Sequence, residues 1–309
     1  MATSELTKRG TGRPDEIKAV PVRHPGRWIA AVIVLWFAAA AIRSIVTSKG
    51  FEWNIVGQYL FDHRILHGML ATIYLTVLCQ VIGVVLGVIA AVMRLSPNPI
   101  VSGVSWLYIW FFRGTPLLVQ IVFWYNIASL FPTITLGVPF GPAFVHGSAN
   151  TIITPLVTAA LGLGLNEGAY MSEIVRAGII SVDEGQTHAA QSIGLSRLQI
   201  MRRIVLPQAM RVIIPPTGNE TISMLKNTSL LVAASYGELF FSAQSIYDVN
   251  YRVIPLLIVA SIWYLVMTSV LYVGQYFIER RFGRGFTRAE RATMRARWIG
   301  FANRGAAGV

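Results

Sequence analysis

Long apolar stretches constrain this chain more than any other feature. Four of them are long enough to cross about 30 Å of hydrocarbon, at 28–46, 66–93, 101–130 and 254–278. Two further stretches, 152–180 and 208–235, are less uniformly apolar. Because a segment inside a bilayer must satisfy its own backbone hydrogen bonds, stretches of this length predict α-helices. The sequence therefore predicts an all-α membrane protein with six transmembrane helices.

The basic residues predict the orientation. If the N-terminus is cytoplasmic and six helices cross, nineteen of the 26 lysines and arginines fall on the cytoplasmic side and four outside. The other three, Arg113, Arg176 and Lys226, lie at membrane depth. This asymmetry predicts a multi-pass protein of the bacterial plasma membrane with both termini in the cytoplasm. It also argues against nucleic acid as the partner of a chain with net charge +12, because the charges belong to tails and loops on one face of a lipid membrane.

Two features inside the predicted spans carry structural information. The third span is interrupted at 113–116, where Pro116 should kink the helix and free a carbonyl group. Gly83 and Gly87, four residues apart in the second span, would let another helix approach closely.

The polar insertion 181–206 has its own local order. Capping boxes at 183–186 and 196–199 predict two short helices. Gly194, between them, suits a left-handed turn. The second helix should stop before Pro207, which suits the first position of the next helix. A structured helix pair outside the membrane is most simply a docking surface for another protein.

The spacing within this insertion resembles the EAA loop of the permease subunits of binding-protein-dependent ABC importers. His188-Ala189-Ala190 is followed after three residues by Gly194, and after nine more by the sequence Ile-Val-Leu-Pro at 204–207. His188 departs from the pattern, because the family usually has glutamate there. The resemblance implies that this loop docks onto an ATPase through His188, Ala189, Ala190, Gly194, Leu206 and Pro207.

Three other phrases resemble the polar amino-acid branch of that family. They lie at 112–120 (Phe-Arg-Gly-Thr-Pro-Leu-Leu-Val-Gln), at 168–176 (Gly-Ala-Tyr with Glu and Arg following) and at 225–230 (Leu-Lys-Asn-Thr-Ser-Leu). The branch more often has aspartate at the position of Asn227, and a small or hydroxyl residue at that of Glu167. The resemblance implies uptake of polar amino acids.

The resemblance also implies a domain organisation. It covers residues 51–283, as a type I importer permease core of five transmembrane helices with the coupling loop at 183–207. The disordered cytoplasmic tail 1–27, an extra N-terminal helix at 28–48 and the basic cytoplasmic tail 284–309 are additions to that core. The first span could also be a signal peptide, but its apolar run exceeds the usual length of about 7–15 residues, so a retained helix is expected.

The implied assembly has several partners. They are a second permease subunit, identical or related, two cytoplasmic ATPase subunits and an extracytoplasmic solute-binding protein. No Gly-x-x-x-x-Gly-Lys-Ser/Thr loop occurs in the sequence. We therefore expect no cofactor and no enzymatic activity in this chain, with ATP hydrolysed on the partner.

Polar residues at membrane depth are candidates for the substrate pathway, because they tend to face a cavity or a partner. Asn166, Tyr170 and Glu173 share one helix face at i, i+4 and i+7, with Glu167 beside them. Carboxylates on this face could meet the ammonium group of an amino acid, while a hydroxyl, a lysine or a broken-helix terminus could meet its carboxylate. The candidates are Asn166, Glu167, Tyr170, Glu173, Thr115 and Lys226.

Several alternatives stay open at this point. Glu173 or Glu167 could instead pair with Arg176 or Lys226 and only order the helix bundle. The importer could carry a different small solute. A secondary transporter would need no capped helix pair and would be expected to contain inverted repeats, and a membrane enzyme would need a clustered catalytic set; the sequence has neither repeats nor such a set.

Overall fold

The structure is a computed structural model, and it describes residues 25–137 and 143–282. The α-helices are α1 Pro25–Thr47, α2 Trp53–Tyr59, α3 His63–Arg94, α4 Pro99–Gly114, α5 Leu117–Tyr125, α6 Ala149–Ile152, α7 Pro155–Ala159, α8 Leu165–Ile180, α9 Glu184–Ser192, α10 Arg197–Ile200, α11 Leu206–Asn227, α12 Leu239–Asn250 and α13 Val253–Phe282. Two π-helical turns, Ala160–Gly164 and Met201–Val205, join α7 to α8 and α10 to α11. Short 3₁₀ segments lie at Lys49–Phe51, Ile127–Ser129 and Thr228–Ala234. The strands are β1 Thr133–Gly137 and β2 Ala143–Ser148.

Helix α1 belongs to a different compact unit from the rest of the described chain, which falls within residues 49–287. Its sequence is apolar on every side from Trp28 to Ile42. Large side chains such as Trp28 and Trp36 are exposed. A helix without a polar face suits a lipid environment, and α1 covers the first predicted span.

Several of the described helices can cross a membrane by length and apolarity. They are α1, α3 and α13, with the bent pair α4–α5 as a fourth if it counts as one span. The other two predicted spans contain α8 and α11. Neither helix is both long enough and apolar enough to count as a membrane span by itself. Helix α8 carries Asn166, Glu167, Glu173 and Arg176. The prediction of a helical membrane fold is confirmed, and the two less apolar spans carry most of the charged residues at membrane depth.

The third predicted span differs from the expected kinked helix. Helices α4 and α5 meet at an angle of 100°. Thr115 and Pro116 are both extended, with ψ of 144° and 133°. For Thr115 the cause is that proline disfavours helical geometry in the residue before it. After Tyr125 the chain continues through the 3₁₀ segment to β1, so the stretch 101–130 is not a single helix.

Two short antiparallel strands lie between α5 and α6. Strand β1 pairs antiparallel with β2, and Thr133 lies opposite Ser148. The N–H of Ala149 donates to the carbonyl of Pro132 at 2.9 Å, next to this pair. The alternation of polar and apolar residues in Thr-Ile-Thr-Leu is typical of a β-strand. It is short and lies among prolines and glycines, which are typical of loops.

Helices α3 and α8 pack closely through glycine. A Cβ atom at Gly83 would overlap the side chain of Glu167. A Cβ at Gly87 would overlap Met171 and lie 3.0 Å from the backbone nitrogen of Ser172. The predicted close helix approach at these two glycines is confirmed.

Candidate functional site

Polar side chains satisfy the carbonyl groups that the break between α4 and α5 leaves free. Pro116 has no N–H to donate to the carbonyl of Phe112, four residues earlier. Asn166 Nδ2 donates to that oxygen at 2.9 Å, and Gln120 Nε2 donates to it at 3.0 Å. Asn166 Nδ2 also donates to Gln120 Oε1 at 3.3 Å. The amide nitrogen of Asn166 therefore holds the break together, and only its side-chain oxygen stays free for a substrate.

Thr115 belongs to the same network. Its Oγ1 donates to the carbonyl of Phe111 at 2.9 Å and accepts from Gln120 Nε2 at 2.7 Å. A threonine hydroxyl has a single proton to donate. The predicted contact between Thr115 and a substrate carboxylate would therefore require this bond to Phe111 to break.

The carboxylate of Glu173 is already paired. Arg176 Nη2 lies 2.7 Å from Glu173 Oε2, and Arg176 Nε donates to the same oxygen at 3.2 Å. Both side chains are about one-third exposed or less. Of the two roles considered for Glu173, the geometry matches pairing within the helix.

Charged groups from three helices converge around Arg113. Its guanidinium carbon lies 5.1 Å from the ring centroid of Tyr170, a distance suited to a cation–π interaction. Arg113 is also close enough to attract Glu173 and Glu220 electrostatically. Helices α4, α8 and α11 thus each contribute to one group of charges, which we call the membrane cluster: Arg113, Glu167, Tyr170, Glu173, Arg176 and Glu220.

Glu167 is the most buried carboxylate of the membrane cluster. Its side chain lies between α3 and α8, and the residue is 5% exposed. It accepts one hydrogen bond, from Gln80 Nε2 at 3.1 Å. Glu220 is close enough for the two negative charges to repel. No lysine or arginine among the described residues forms an ion pair with Glu167.

Glu238 shows how a buried carboxylate of the same chain is satisfied. It is fully buried and caps α12, accepting from the N–H groups of Phe240 at 2.9 Å and Phe241 at 2.7 Å. The hydroxyl of Tyr264 donates to it at 2.7 Å. A buried carboxylate needs several donors of this kind. Glu167 has one, so the structure leaves it with capacity for a further cationic or hydrogen-bonding partner.

Lys226 does not join the membrane cluster. It lies at the end of α11 with its side chain exposed. Its ammonium group forms no ion pair with the carboxylates in the described part of the chain. The structure therefore does not bring Lys226 together with Glu167 or Glu173.

Sequence reasoning missed three members of these networks. Glu220 lies in a polar run, Asn-Glu-Thr at 219–221, inside the fifth predicted span. Gln80 is an isolated amide in the apolar second span, three residues before Gly83. Gln120 ends the phrase at 112–120. A search for every polar residue at membrane depth, and not only for those on one face of α8 or within the recognised phrases, would have found Gln80 and Glu220, and Gln120 stands in a phrase that was already recognised.

The insertion after α8 forms the two predicted short helices, α9 and α10. The C-terminus of α9 is a Schellman motif: the N–H of Leu195 donates to Ala190 O at 3.1 Å, and that of Gly194 to Gln191 O at 2.9 Å. Gly194 has φ of +82°, which confirms the left-handed turn. The capping box of Ser196 with Gln199 is confirmed too.

Two details of this insertion differ from the prediction. Asp183 caps α9 through the N–H of Gly185, at 2.7 Å. The second helix does not stop before Pro207: it continues through the π-turn Met201–Val205 into α11. A proline disturbs the preceding helical turn, and a π-turn can absorb that disturbance without ending the helix. Leu206 and Pro207 are both exposed at this junction.

Ala190 faces the interior of the insertion and not a partner. It is 3% exposed and packs in a small core with Ile200 and Val205. Val182 and Ile179 extend this core to the end of α8. The expectation that Ala190 contacts the ATPase is therefore wrong, because its side chain packs α9 against the π-turn and the end of α8.

The outer face of α9 is built of small residues. Gly185, Ala189 and Ser192 lie at i, i+4 and i+7 and are exposed. Ile193, at the end of the helix, is 76% exposed. The side chain of His188 is exposed beside this face. We call Gly185, Ala189, Ser192 and Ile193 the outer face of α9.

Comparison with known proteins identifies related sequences. Residues 83–284 match the family described as binding-protein-dependent transport system inner membrane component. The arginine transport system permease protein ArgU of Corynebacterium glutamicum is 49% identical over 280 residues, covering 90% of this chain and 87% of that protein. The glutamine transport system permease protein GlnP of Escherichia coli K12 is 30% identical over 231 residues, covering 75% of this chain and 97% of that protein.

Solved structures share the fold. The crystal structure of an amino acid ABC transporter with histidines matches with a TM-score of 0.62 and 33% identity, covering 74% of this chain and 98% of the other. An inward-facing structure of the MetNI methionine ABC transporter matches with a TM-score of 0.57 over 72% of this chain and 97% of the other. Its identity is 16%, so this second similarity concerns the fold alone.

Proposed function

The chain belongs to the family of binding-protein-dependent transport system inner membrane components, and from this membership we propose that it is the permease subunit of an ATP-driven amino-acid importer. It is a multi-pass protein of the bacterial inner membrane that works by alternating access. The observation that carries this function is the family match, which spans α8, the α9–α10 insertion and α11 together.

We propose that the α9–α10 insertion couples the permease to a separate ATPase. Its core and its Schellman turn make it a rigid element. Three of the four residues on the outer face of α9 have small side chains, so a partner could reach the helix backbone there, beside the exposed Ile193. His188, Leu206 and Pro207 are exposed around the same insertion. ATP would be hydrolysed on that ATPase, and a solute-binding protein and a second permease subunit would complete the importer.

The orientation of the chain gives a first prediction. With the insertion in the cytoplasm, reporter fusions after Lys49, Asn150 and Asn250 should report an external location. Fusions near Arg197 and Arg295 should report a cytoplasmic one, because basic residues concentrate on that side. Paired alkaline phosphatase and fluorescent-protein fusions measure this. A cytoplasmic signal at Asn150 would invert every later element and contradict the coupling assignment.

We further propose that the cargo is a cationic amino acid. Glu167 is a buried carboxylate with one donor and a second carboxylate nearby. A positive charge passing along α8 would therefore be attracted to it. The relative that is 49% identical is an arginine transport system permease. Together these observations favour arginine-like cargo over neutral amino acids.

Glu167→Gln should lower uptake of labelled arginine by about tenfold or more, because a hydrogen bond to a charged group contributes about 1.5–3 kcal/mol. Glutamine keeps the size of the side chain, and its amide oxygen can still accept the hydrogen bond from Gln80. The measurement is uptake in a strain that lacks the native permease, with membrane levels of the protein followed in parallel.

The control is Glu279→Gln, the same chemical change at an exposed site near the end of α13, which should transport normally. If Glu167→Gln transports arginine at the normal rate, Glu167 does not bind the cargo. If its membrane level falls with its uptake, Glu167 only orders the α3–α8 packing.

A further inference from the structure

A cavity of about 410 Å³ lies where the α9–α10 insertion meets the end of α8. Its apolar floor includes Ile179 from α8 and Met201 from the π-turn. The volume is within the range of small-molecule sites. Four polar side chains line the rest of the cavity: Glu184, Thr187, Gln191 and Arg197.

The cavity lies away from the outer face of α9. Glu184, Thr187 and Gln191 occupy i, i+3 and i+7 of α9 and point to the cavity. At 3.6 residues per turn, their mean direction is about 130° from that of Gly185, Ala189 and Ser192. A ligand in the cavity would therefore leave the proposed ATPase-docking face free.

The polar side chains of the cavity make no side-chain hydrogen bond or ion pair within the described part of the chain, and Glu184, Gln191 and Arg197 are exposed to solvent. Neither Glu184 nor Arg197 belongs to an ion pair in the described part of the chain. The side chains of Thr187 and Gln191 likewise have no hydrogen-bond partner among the described residues. An unpaired acid, an unpaired base and two neutral polar groups thus surround an apolar floor. That combination fits the adjacent ammonium and carboxylate groups of an α-amino acid, with the methylene groups of its side chain over the apolar residues.

We propose that this cavity binds a free α-amino acid, with its ammonium group at Glu184 and its carboxylate at Arg197. Arginine is well suited to a carboxylate because its guanidinium can donate two parallel hydrogen bonds. Thr187 and Gln191 provide further polar contacts, and the ligand side chain lies over Ile179 and Met201.

The position of the cavity gives the site a regulatory consequence, which rests on the proposed function for its orientation and cargo. The cavity opens on the side where imported amino acid is released. An occupant touches both α9 and the end of α8, so it bridges the coupling insertion to a membrane helix and resists their relative movement. Uptake should therefore slow as free amino acid accumulates inside.

The test uses the full importer in proteoliposomes, with L-arginine as the probe. L-Arginine enclosed with ATP should slow uptake in the unsubstituted importer, whereas enclosed arginine amide, which lacks the carboxylate, should not. In Arg197→Gln and in Glu184→Gln, the concentration of enclosed arginine that halves uptake should rise about tenfold or more, because each variant loses a charged contact. Uptake into vesicles without enclosed arginine should stay unchanged.

Arg203→Gln is the matched control, because Arg203 is exposed on the same insertion and does not line the cavity. It should keep the unsubstituted response. Equal inhibition of all variants, or equal effects of arginine and its amide, would overturn the proposal. So would loss of the ATPase from purified Glu184→Gln or Arg197→Gln importer, since the cavity would then receive a segment of the ATPase. Absence of ATP-driven uptake in the unsubstituted importer would instead contradict the proposed function.

Discussion

Gly194→Val is expected to abolish uptake and to remove the ATPase from the purified importer, while the membrane helices remain folded. Gly194 has φ of +82°, where a β-branched residue is a marked outlier. A left-handed backbone costs about 1–2 kcal/mol for residues with a side chain. The chain would relieve this strain by rotating α10 away from α9, which changes the shape offered to the partner.

The effect should come from the backbone and not from crowding. A Cβ atom at Gly194 would meet nothing within 4 Å. Gly194→Asn is therefore the matched control, because asparagine tolerates the left-handed region far better than valine. Co-purification of the ATPase should be retained in Gly194→Asn and lost in Gly194→Val. If both variants keep the ATPase and uptake, the turn is not part of the docking surface.

Local features of the fold could be predicted from the sequence. The turn at Gly194, the cap at Ser196 and the break at Pro116 each depend on residues within a few positions of one another. All the groups that form them lie close together in the sequence, because a cap or a turn needs only the neighbouring backbone groups. The turn and the cap were therefore predicted with their residues, and at Pro116 the position was predicted, although as a kink in one helix and not as a break between two.

Long-range contacts could not be predicted in the same way. Pro116 predicts a free carbonyl at Phe112, but one of its two donors, Asn166, comes from α8, 54 residues away in sequence. The same limit applies to Ala190. The helix pattern alone is compatible with a buried or an exposed side chain at this position. Its burial depends on Val205, and so on the unexpected continuation of α10 through the π-turn.

The membrane cluster also shows why residue type alone was insufficient. Glu173 and Glu167 both lie on α8 and were both candidates for contact with an ammonium group. The structure separates them, because Arg176 neutralises Glu173 while Gly83 lets Glu167 settle against α3 beside Gln80. Glu173 finds its partner three residues along the same helix, whereas the surroundings of Glu167 depend on α3, which the sequence of α8 alone does not show.

Gly87→Val should prevent stable folding of the permease. A Cβ atom at Gly87 would overlap Met171 and lie 3.0 Å from the backbone nitrogen of Ser172. Backbone atoms cannot rotate away as a side chain can, so α3 and α8 must separate. Overpacking a well-packed core costs typically about 1–3 kcal/mol, and here the separation would also loosen the contacts around Gly83. The measurement is the yield of monodisperse protein in mild detergent, with its melting temperature.

Gly103→Val is the matched control, because Gly103 also lies in a long helix, α4, and a Cβ atom there would meet nothing within 4 Å. It should fold with normal yield, and Gly87→Ala should fall between the two valine variants. Glu167 is buried because Gly83, one helical turn before Gly87, brings α3 against it. Equal yields of Gly87→Val and Gly103→Val would contradict the close α3–α8 packing, and with it the explanation for the burial of that carboxylate.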